Sequence, residues 1–535
     1  MHMTTTVLNR LYRLKDYALA VMAGLTGSFA FAPYNLSYLS FIALFVLFWF
    51  LYGKQCQARK SWVLLTSWSF FTIFWIHVSM THYSDVPMVV AVIVLLIFSA
   101  YLTGYHALVI YLANRIFCGQ MFLKNVLAVP AGFVIADYLT GHVLTGFPWF
   151  YLGYSQTDTF LNSLAPIAGV HSITLCMLVV TALFFHAAHS RKLWYAATSL
   201  IILTITANLN LEFTEPLEKK SVALVQGNIA QQIKWDPSQA GNIFETYIKL
   251  SKPYLNGEKH TDILVWPESA VPDLENYTAN VLNHLDLLTK KYQTSFITGI
   301  QTYHPGDETY YNAVIGLGII DSEGKIPYRY QDGNRYYKRH LVPFGEKVPF
   351  EETLRKYGSF FNMPMSSFSN GSEVQENIRA SDLKIATAIC YEIAYPDEML
   401  VNIHPDTSMI LTVSNDGWFG TYDLKTGKYY VSAGPYQHAE IARMRALEFQ
   451  KPVLRATNNG ITSIIAHDGT ALNLPLYHEG VLTGTIIPRT GSTPFETYGF
   501  TIVFSIVWAM LLVAFSSLLI LMITTKRKIR KTSVN

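Results

Sequence analysis

Charge is what this chain of 535 residues has least of: Asp, Glu, Lys and Arg together make up 14%, against 51% hydrophobic residues. A soluble protein of this length carries about a quarter charged residues, so the composition excludes an ordinary soluble chain and fits one partly embedded in a membrane. The charges that are present nearly cancel, 40 basic against 37 acidic for a net of +3. That excludes a nucleic-acid partner, because no basic face is left to neutralise phosphates. Cysteine is scarce, four in all, too few for a disulfide framework. There is no phosphate-binding glycine loop, no internal repeat, and no metal-ligand spacing among His340, His438 and His467. No cofactor is therefore implied, neither nucleotide nor metal.

What the chain does have is long apolar runs. Eight of them, some only with their flanks, could cross a hydrocarbon core of about 30 Å: residues 17–33, 38–52, 62–80, 88–113, 126–140, 163–187, 194–209 and 500–523. They predict a membrane domain of seven helices over residues 1–213 and a final helix with a basic tail over 498–535. Lys and Arg fall on alternate connections: Arg10, Arg13 and Lys15; Lys54, Arg59 and Lys60; Arg115 and Lys124; Arg191 and Lys192; then Lys526, Arg527, Lys528, Arg530 and Lys531. By the positive-inside rule these segments are cytoplasmic, which puts the polar stretch 214–497 outside. The first helix follows basic residues without a small-residue cleavage site and is read as retained.

The external stretch alternates short β-branched runs (222–229, 263–266, 295–302, 313–320, 383–390, 409–413, 453–457) with helical patterns at 240–255, 274–292 and 436–449. This predicts an α/β sandwich with function at the carboxyl ends of strands. Gly324, Gly333 and Gly469 sit in polar hairpin turns. Cys390 is the only thiol of this stretch, since Cys56 and Cys118 lie at the cytoplasmic edge and Cys176 inside a helix. A lone cysteine is more often buried packing than chemistry. Here it shares the domain with Glu268 and Lys338, each beside an apolar run, and a thiol, a carboxylate and an ammonium are the parts that activate a sulfur nucleophile.

Those residues sit inside longer motifs. Val-Gln-Gly-Asn at 225–228, Trp-Pro-Glu-Ser at 266–269, Tyr-Lys-Arg-His-Leu-Val-Pro-Phe-Gly-Glu at 337–346, Ile-Cys-Tyr-Glu at 389–392 and Ser-Asn-Asp-Gly-Trp-Phe-Gly at 414–420 resemble the carbon–nitrogen hydrolase (nitrilase) superfamily. Thr-Gly-Phe-Pro-Trp at 145–149, Arg-Met-Arg-Ala-Leu-Glu at 443–448 and the surrounding helices narrow the resemblance to its membrane-bound branch, the apolipoprotein N-acyltransferases. The resemblance implies a multi-pass helical domain carrying a nitrilase-like αββα sandwich, in a bacterial inner membrane with the sandwich on the periplasmic side. It implies transfer of an acyl chain from a phospholipid, phosphatidylethanolamine in the usual case, through a cysteine thioester to the α-amino group of a diacylated apolipoprotein.

By the same resemblance Cys390 is the nucleophile, Glu268 the general base and acid, and Lys338 the electrostatic partner of thiolate and oxyanion. Glu346 is implied as the second carboxylate, which orients Lys338 or helps with the proton; the alternative is an exposed loop charge. Tyr391 and Glu392 follow the nucleophile, where strand alternation sends them to opposite faces; a buried Glu392 needs a partner, with Arg443 or Arg445 the candidates. Trp235 and Trp418 are candidates for a lipid-contacting rim or for core, and Trp149 with Phe150, in an external connection at headgroup level, for a lipid-entry rim or an aromatic belt. Asp137 and Thr140 depart from the family pattern, standing where a Glu and an Arg are expected. Two other readings stay open: a membrane-tethered amidase or nitrilase using water as acceptor, and a transporter or scaffold with an inert external domain. The many helices weigh against the first. The intact Glu268, Lys338 and Cys390, with ionisable residues sparse inside the helices, chiefly His106 and Asp137, weigh against the second.

Overall fold

The computed structural model describes residues 2–52, 57–321, 324–325, 328–331, 333–343, 345–347, 368–423, 426 and 428–532; Lys54 and Cys56 lie outside them. The chain divides into two compact units, Met1–Leu211 with Tyr498–Asn535, and Glu212–Thr497.

The first unit is helical because runs of Leu, Ile, Val, Ala and Phe satisfy every backbone group internally when wound as helix, the one open-ended way to do so in lipid. Its opening helix, His2–Ser28, gives way to a turn in which Asn35 takes a left-handed φ of 51° before the helix Tyr38–Leu51. Among the described residues, three helices are long and apolar enough to span: Leu123–Thr145, Val170–Ser190 and Thr501–Arg530. The number rises to five if each bent pair counts once. Residues 88–113, read above as one run, are two helices, Met88–Leu102 and Gly104–Ile116, meeting at 41°. Thr103 Oγ1 donates back to the Ser99 carbonyl at 2.8 Å, the kind of back-bond that bends helices. A second break, 56°, separates Ala58–Thr72 from Ile76–Tyr83. Tyr38–Leu51 and Leu193–Ala207 have 14 and 15 residues, about 21–23 Å at 1.5 Å per residue, short of a 30 Å core.

Two sequence features of this unit resolve into packing. Asp137 faces His106 Nε2 at 2.8 Å, with His171 Nδ1 at 3.9 Å, while Thr140 donates to the carbonyls of Ala136 and Leu102. Trp149, expected in a lipid-entry rim or an aromatic belt, is 2% exposed and packs against Trp75 and Phe147, with ring centroids 5.1 and 6.1 Å away. It is core because its neighbours supply aromatic faces on both sides.

The second unit is a four-layer sandwich. One six-stranded sheet runs, in spatial order, Gly480–Ile486, Lys220–Gln226, Ile263–Val265, Ser295–His304, Thr309–Leu317 and Arg335–Tyr337. The other runs Ala471–Leu474, Thr462–Ile465, Val453–Thr457, Thr407–Ser414, Leu383–Ile389 and Ile378–Ala380. The central strands of each are parallel and the edges antiparallel, so each sheet is apolar on both faces. Alternate residues such as Val222, Leu224, Ile263 and Val265 meet Ile385, Ile389, Met409 and Leu411 between the sheets. The intervening residues Ala223, Val225, Leu264 and Phe296 pack outward with Ile243, Tyr247, Leu282 and Leu285 of the helices Ala240–Leu255 and Glu275–Lys291. The Gly469 turn joins two antiparallel strands as read from sequence, with a φ of 80° that suits glycine.

Candidate active site

The first parallel strand of the second sheet ends at Ile389, one residue earlier than the sequence pattern indicates, and Cys390 opens a 3-10 turn, Cys390–Ala394. Its φ is +55°, a strained conformation for a non-glycine residue and one that turns a side chain out of the sheet's end. Tyr391 and Glu392 therefore lie in a turn and not on alternating strand faces. Glu392 is not paired with Arg443 or Arg445, which face Glu440 and Glu448. Its carboxylate accepts instead from the amides of Arg339 (2.7 Å), His340 (3.0 Å) and Ile389 (2.6 Å) and from Tyr336 Oη (3.2 Å). Backbone donors replace a cation because the turn folds the side chain back onto its own strand end. Burial, then the Glu398 charge, push this carboxyl up to about 7 against those amides. Tyr391 is buried with its ring 5.1 Å from Tyr395 and 5.7 Å from His340.

Glu268 follows the Ile263–Val265 strand, and Lys338 follows Arg335–Tyr337. The chain at Glu268 passes so close to the neighbouring strand that a Cβ on Gly299 would sit 2.7 Å from the Glu268 Cα; only glycine fits there. Lys338 Nζ, 1% exposed, lies 2.8 Å from Glu346 Oε2 and 3.5 Å from Glu268 Oε1. Burial opposes its charge, but Glu346 and then Glu268 outweigh burial and hold the ammonium above the ordinary lysine range. Glu346 also accepts from the Val342 amide at 2.9 Å. The thiol of Cys390 feels the same groups: burial, then Glu268, push it up to about 12, against the pull of Lys338.

Several residues of the site take no role from the sequence: Asn312, Lys234 and Arg455 lie outside the motifs, and Ser414, Asn415 and Asp416 lie inside one, at 414–420, without a part assigned. Asn312 Nδ2 donates to Glu268 Oε1 at 2.8 Å and to Glu346 Oε1 at 3.1 Å; an Asn at an inward strand position, where the type is disfavoured, was the available clue. The Asn415 amide donates to Glu268 Oε2 at 2.9 Å. Lys234 is buried, its Nζ donating to the Glu268 carbonyl at 3.0 Å. Burial lowers it to about 8, while Glu268 and Cys390 pull the other way. Behind the nucleophile, His438 Nε2 donates to the Cys390 carbonyl at 3.0 Å, and Asp416 joins His438, Ser414 and Arg455. Asp416, buried yet beside Arg455 and His438, stays well below the usual carboxylate range. Trp235 is half-buried with Lys234 Nζ 5.7 Å from its ring, and Trp418 is 37% exposed in the turn Asp416–Phe419.

The arrangement supplies a thiol, a carboxylate held by three donors and a buried cation whose charge does not depend on solvent. Those are the elements of acyl transfer through sulfur.

Comparison with known proteins gives two family matches, Apolipoprotein N-acyltransferase N-terminal domain over residues 23–183 and Carbon-nitrogen hydrolase over residues 221–495. The Apolipoprotein N-acyltransferase of Vibrio cholerae is 38% identical over 498 residues, 92% of this chain and 95% of its own. Its namesake from Photobacterium profundum is 36% identical over 94% of this chain and 95% of its own. That of Pasteurella multocida is 34% identical over 94% and 95%.

Proposed function

The chain belongs to the apolipoprotein N-acyltransferase family, and we propose that Cys390, Glu268 and Lys338 carry its reaction, with Glu346 and Asn312 holding the last two in place. It is a membrane enzyme that N-acylates lipoproteins using a lipid acyl donor. The observation that carries the site assignment is the buried Lys338 ammonium, 2.8 Å from Glu346 and 3.5 Å from Glu268, with its charge and that of Glu268 both acting on the Cys390 thiol.

In the first half-reaction Cys390 Sγ attacks the ester carbonyl of a phospholipid while Glu268 takes the thiol proton. Lys338 stabilises the tetrahedral oxyanion. The oxyanion collapses, the lysophospholipid alkoxide leaves with the proton from Glu268, and a thioester remains. In the second, the α-amino nitrogen of a diacylglyceryl-cysteine attacks the thioester, Glu268 accepts its proton, and the thiol leaves reprotonated as the amide forms. A thiol pushed up to about 12 holds little thiolate at neutral pH, so proton removal must accompany attack and Glu268 has to act in the same step.

We place phosphatidylethanolamine as donor, eight membrane-spanning helices, and an inner-membrane setting with the catalytic unit outside. The alternating basic connections support that topology. So does the exposed apolar surface of the last helix, where Trp508 and Leu512 are 60% and 69% exposed. An N-terminal acceptor reached after export has no ATP nearby to activate a fatty acid, which favours a donor already esterified. The full chain in phosphatidylethanolamine vesicles with a diacylated N-terminal lipopeptide is expected to add one acyl chain and release lysophosphatidylethanolamine, both read by mass spectrometry. Release of free fatty acid with an unmodified peptide would overturn the transferase reading in favour of hydrolysis. For the topology, a membrane-impermeant maleimide on intact spheroplasts is expected to reach Cys390; labelling only after lysis would place the unit inside.

A further inference from the structure

Ser414 ends the Thr407–Ser414 strand, fully buried, and two neighbours compete for its single hydroxyl proton. Its Oγ is 2.6 Å from Asp416 Oδ1 and 3.4 Å from Cys390 Sγ. Asp416 is ionised: Arg455 Nη2, on a guanidinium that is always charged, donates to Oδ2 at 2.6 Å, and His438 Nδ1 lies 3.0 Å from Oδ1. An O–H···O⁻ bond of that length is charge-assisted and roughly twice as strong as a neutral one, whereas sulfur is a weak acceptor. The Ser414 proton therefore belongs to Asp416, and Ser414 presents Cys390 with a lone pair. A lone pair receives an S–H proton and repels a thiolate. Among the described residues Ser414 is the hydrogen-bond partner of this sulfur.

We infer that Ser414, locked by Asp416 and Arg455, is a positioning residue that holds the resting Cys390 as a neutral thiol, its S–H directed to Ser414, until an occupied site brings Glu268 into play. This rests on Cys390 being the nucleophile. The charged groups that act on the thiol come from every element around it: Glu268 beyond the Ile263–Val265 strand, Lys338 beyond Arg335–Tyr337, Lys234 in the turn Gln231–Lys234, and Asp416 beyond Thr407–Ser414. His438, from the helix Gly434–Phe449, reaches the Cys390 carbonyl and closes the ring with Asp416. The two lysines draw the proton off sulfur, and Glu268 and Asp416 keep it on. A hydroxyl donated to sulfur would join the lysines; the 2.6 Å bond to Asp416 sets Ser414 on the other side. The advantage is selectivity in time, since the thiolate is the form that reacts with oxidants and stray electrophiles.

The sign of the effect is what an experiment reads. The purified full chain in lipid is alkylated with iodoacetamide across neutral to alkaline pH, and modification of Cys390 is followed by peptide mass spectrometry. Ser414→Ala is expected to react about three- to tenfold faster at a given pH. Its midpoint should fall by about half to one pH unit, the weight of one hydrogen bond lost from the thiol form. Asp416→Asn, which frees the Ser414 proton and removes a negative charge, is expected to shift the same way. Slower or unchanged alkylation in Ser414→Ala would mean that the hydroxyl serves the thiolate or nothing, and the inference falls. Failure of the underlying assignment would show separately, as acyl transfer surviving in Cys390→Ser.

Discussion

Two buried polar clusters flank Cys390, and they are built on opposite principles. In front, Glu268 and Glu346 share the cation of Lys338, while the other buried lysine, Lys234, donates to the Glu268 carbonyl and is lowered to about 8 by burial. Two carboxylates thus face one firmly held ammonium and one that burial weakens. Behind, Asp416 and Arg455 form a one-to-one pair at 2.6 Å with both partners fully buried, and the pair gains nothing from a proton. The contrast teaches where chemistry sits: an unbalanced cluster can exchange protons during a reaction, and a balanced one can only hold shape.

The largest effect expected follows from the atom both clusters serve. Cys390→Ser should abolish acyl transfer, while Cys118→Ser and Cys176→Ala should retain most of it in the vesicle assay. Transfer at the parent rate by Cys390→Ser would remove the reason for comparing the clusters at all.

Breaking the rear cluster should cost stability before activity. Arg455→Met leaves Asp416 buried without its cation, a change of about 3–5 kcal/mol, and thermal unfolding of the purified protein should show a markedly lower Tm. An unchanged Tm would mean that the pair is not the closed unit its geometry describes.

Breaking the front cluster should do the reverse. Glu268→Gln and Lys338→Met are each expected to lower kcat by about a hundredfold or more. Glu268→Gln, which keeps the shape and removes a charge, should do so with little change in Tm, whereas Lys338→Met also leaves two carboxylates without their cation and should lower Tm as well. The sign of the thiol response separates them. Removing the Lys338 cation disfavours the thiolate, so alkylation of Cys390 should slow at a given pH and its midpoint should rise. Removing the Glu268 charge favours the thiolate, so the midpoint should fall. Identical profiles would show that neither charge is felt at the sulfur.

The smallest effect concerns the exposed end of the rear segment. Trp418→Ala removes a 37% exposed indole two residues from Asp416, and is expected to raise KM for the lipid about fivefold with kcat kept, the weight of roughly 1 kcal/mol of apolar contact. A fall in kcat instead would place Trp418 with the packing of the rear cluster.

The division between what was legible in the residues and what was not follows these clusters. Glu268, Lys338 and Cys390 were legible because each sits in a motif at or just beyond a strand's end: Cys390 directly after Leu383–Ile389, Lys338 directly after Arg335–Tyr337, and Glu268 shortly after Ile263–Val265. The two-sheet sandwich was legible for the same reason, since β-branched runs with interleaved helices have few other solutions. The breaks in the helices of the first unit were not, because a bend at Thr103 depends on one hydroxyl choosing a carbonyl four residues back, and hydropathy is blind to that choice.

What the sequence by itself determined is which groups are present and that they end strands: a chain with one thiol in its polar half, a Glu and a Lys beside apolar runs, and a hydrophobic remainder that must be membrane-bound. What only the tertiary structure decided is who touches whom. The Asn415 amide reaches Glu268 across 147 residues of chain, and Arg455 meets Asp416 across 39. Glu392 takes backbone amides where the sequence offered Arg443 and Arg445. Composition and periodicity record the local cost of burying each side chain, whereas hydrogen-bond partners are set by the register in which two sheets stack, and that register is a property of the whole core.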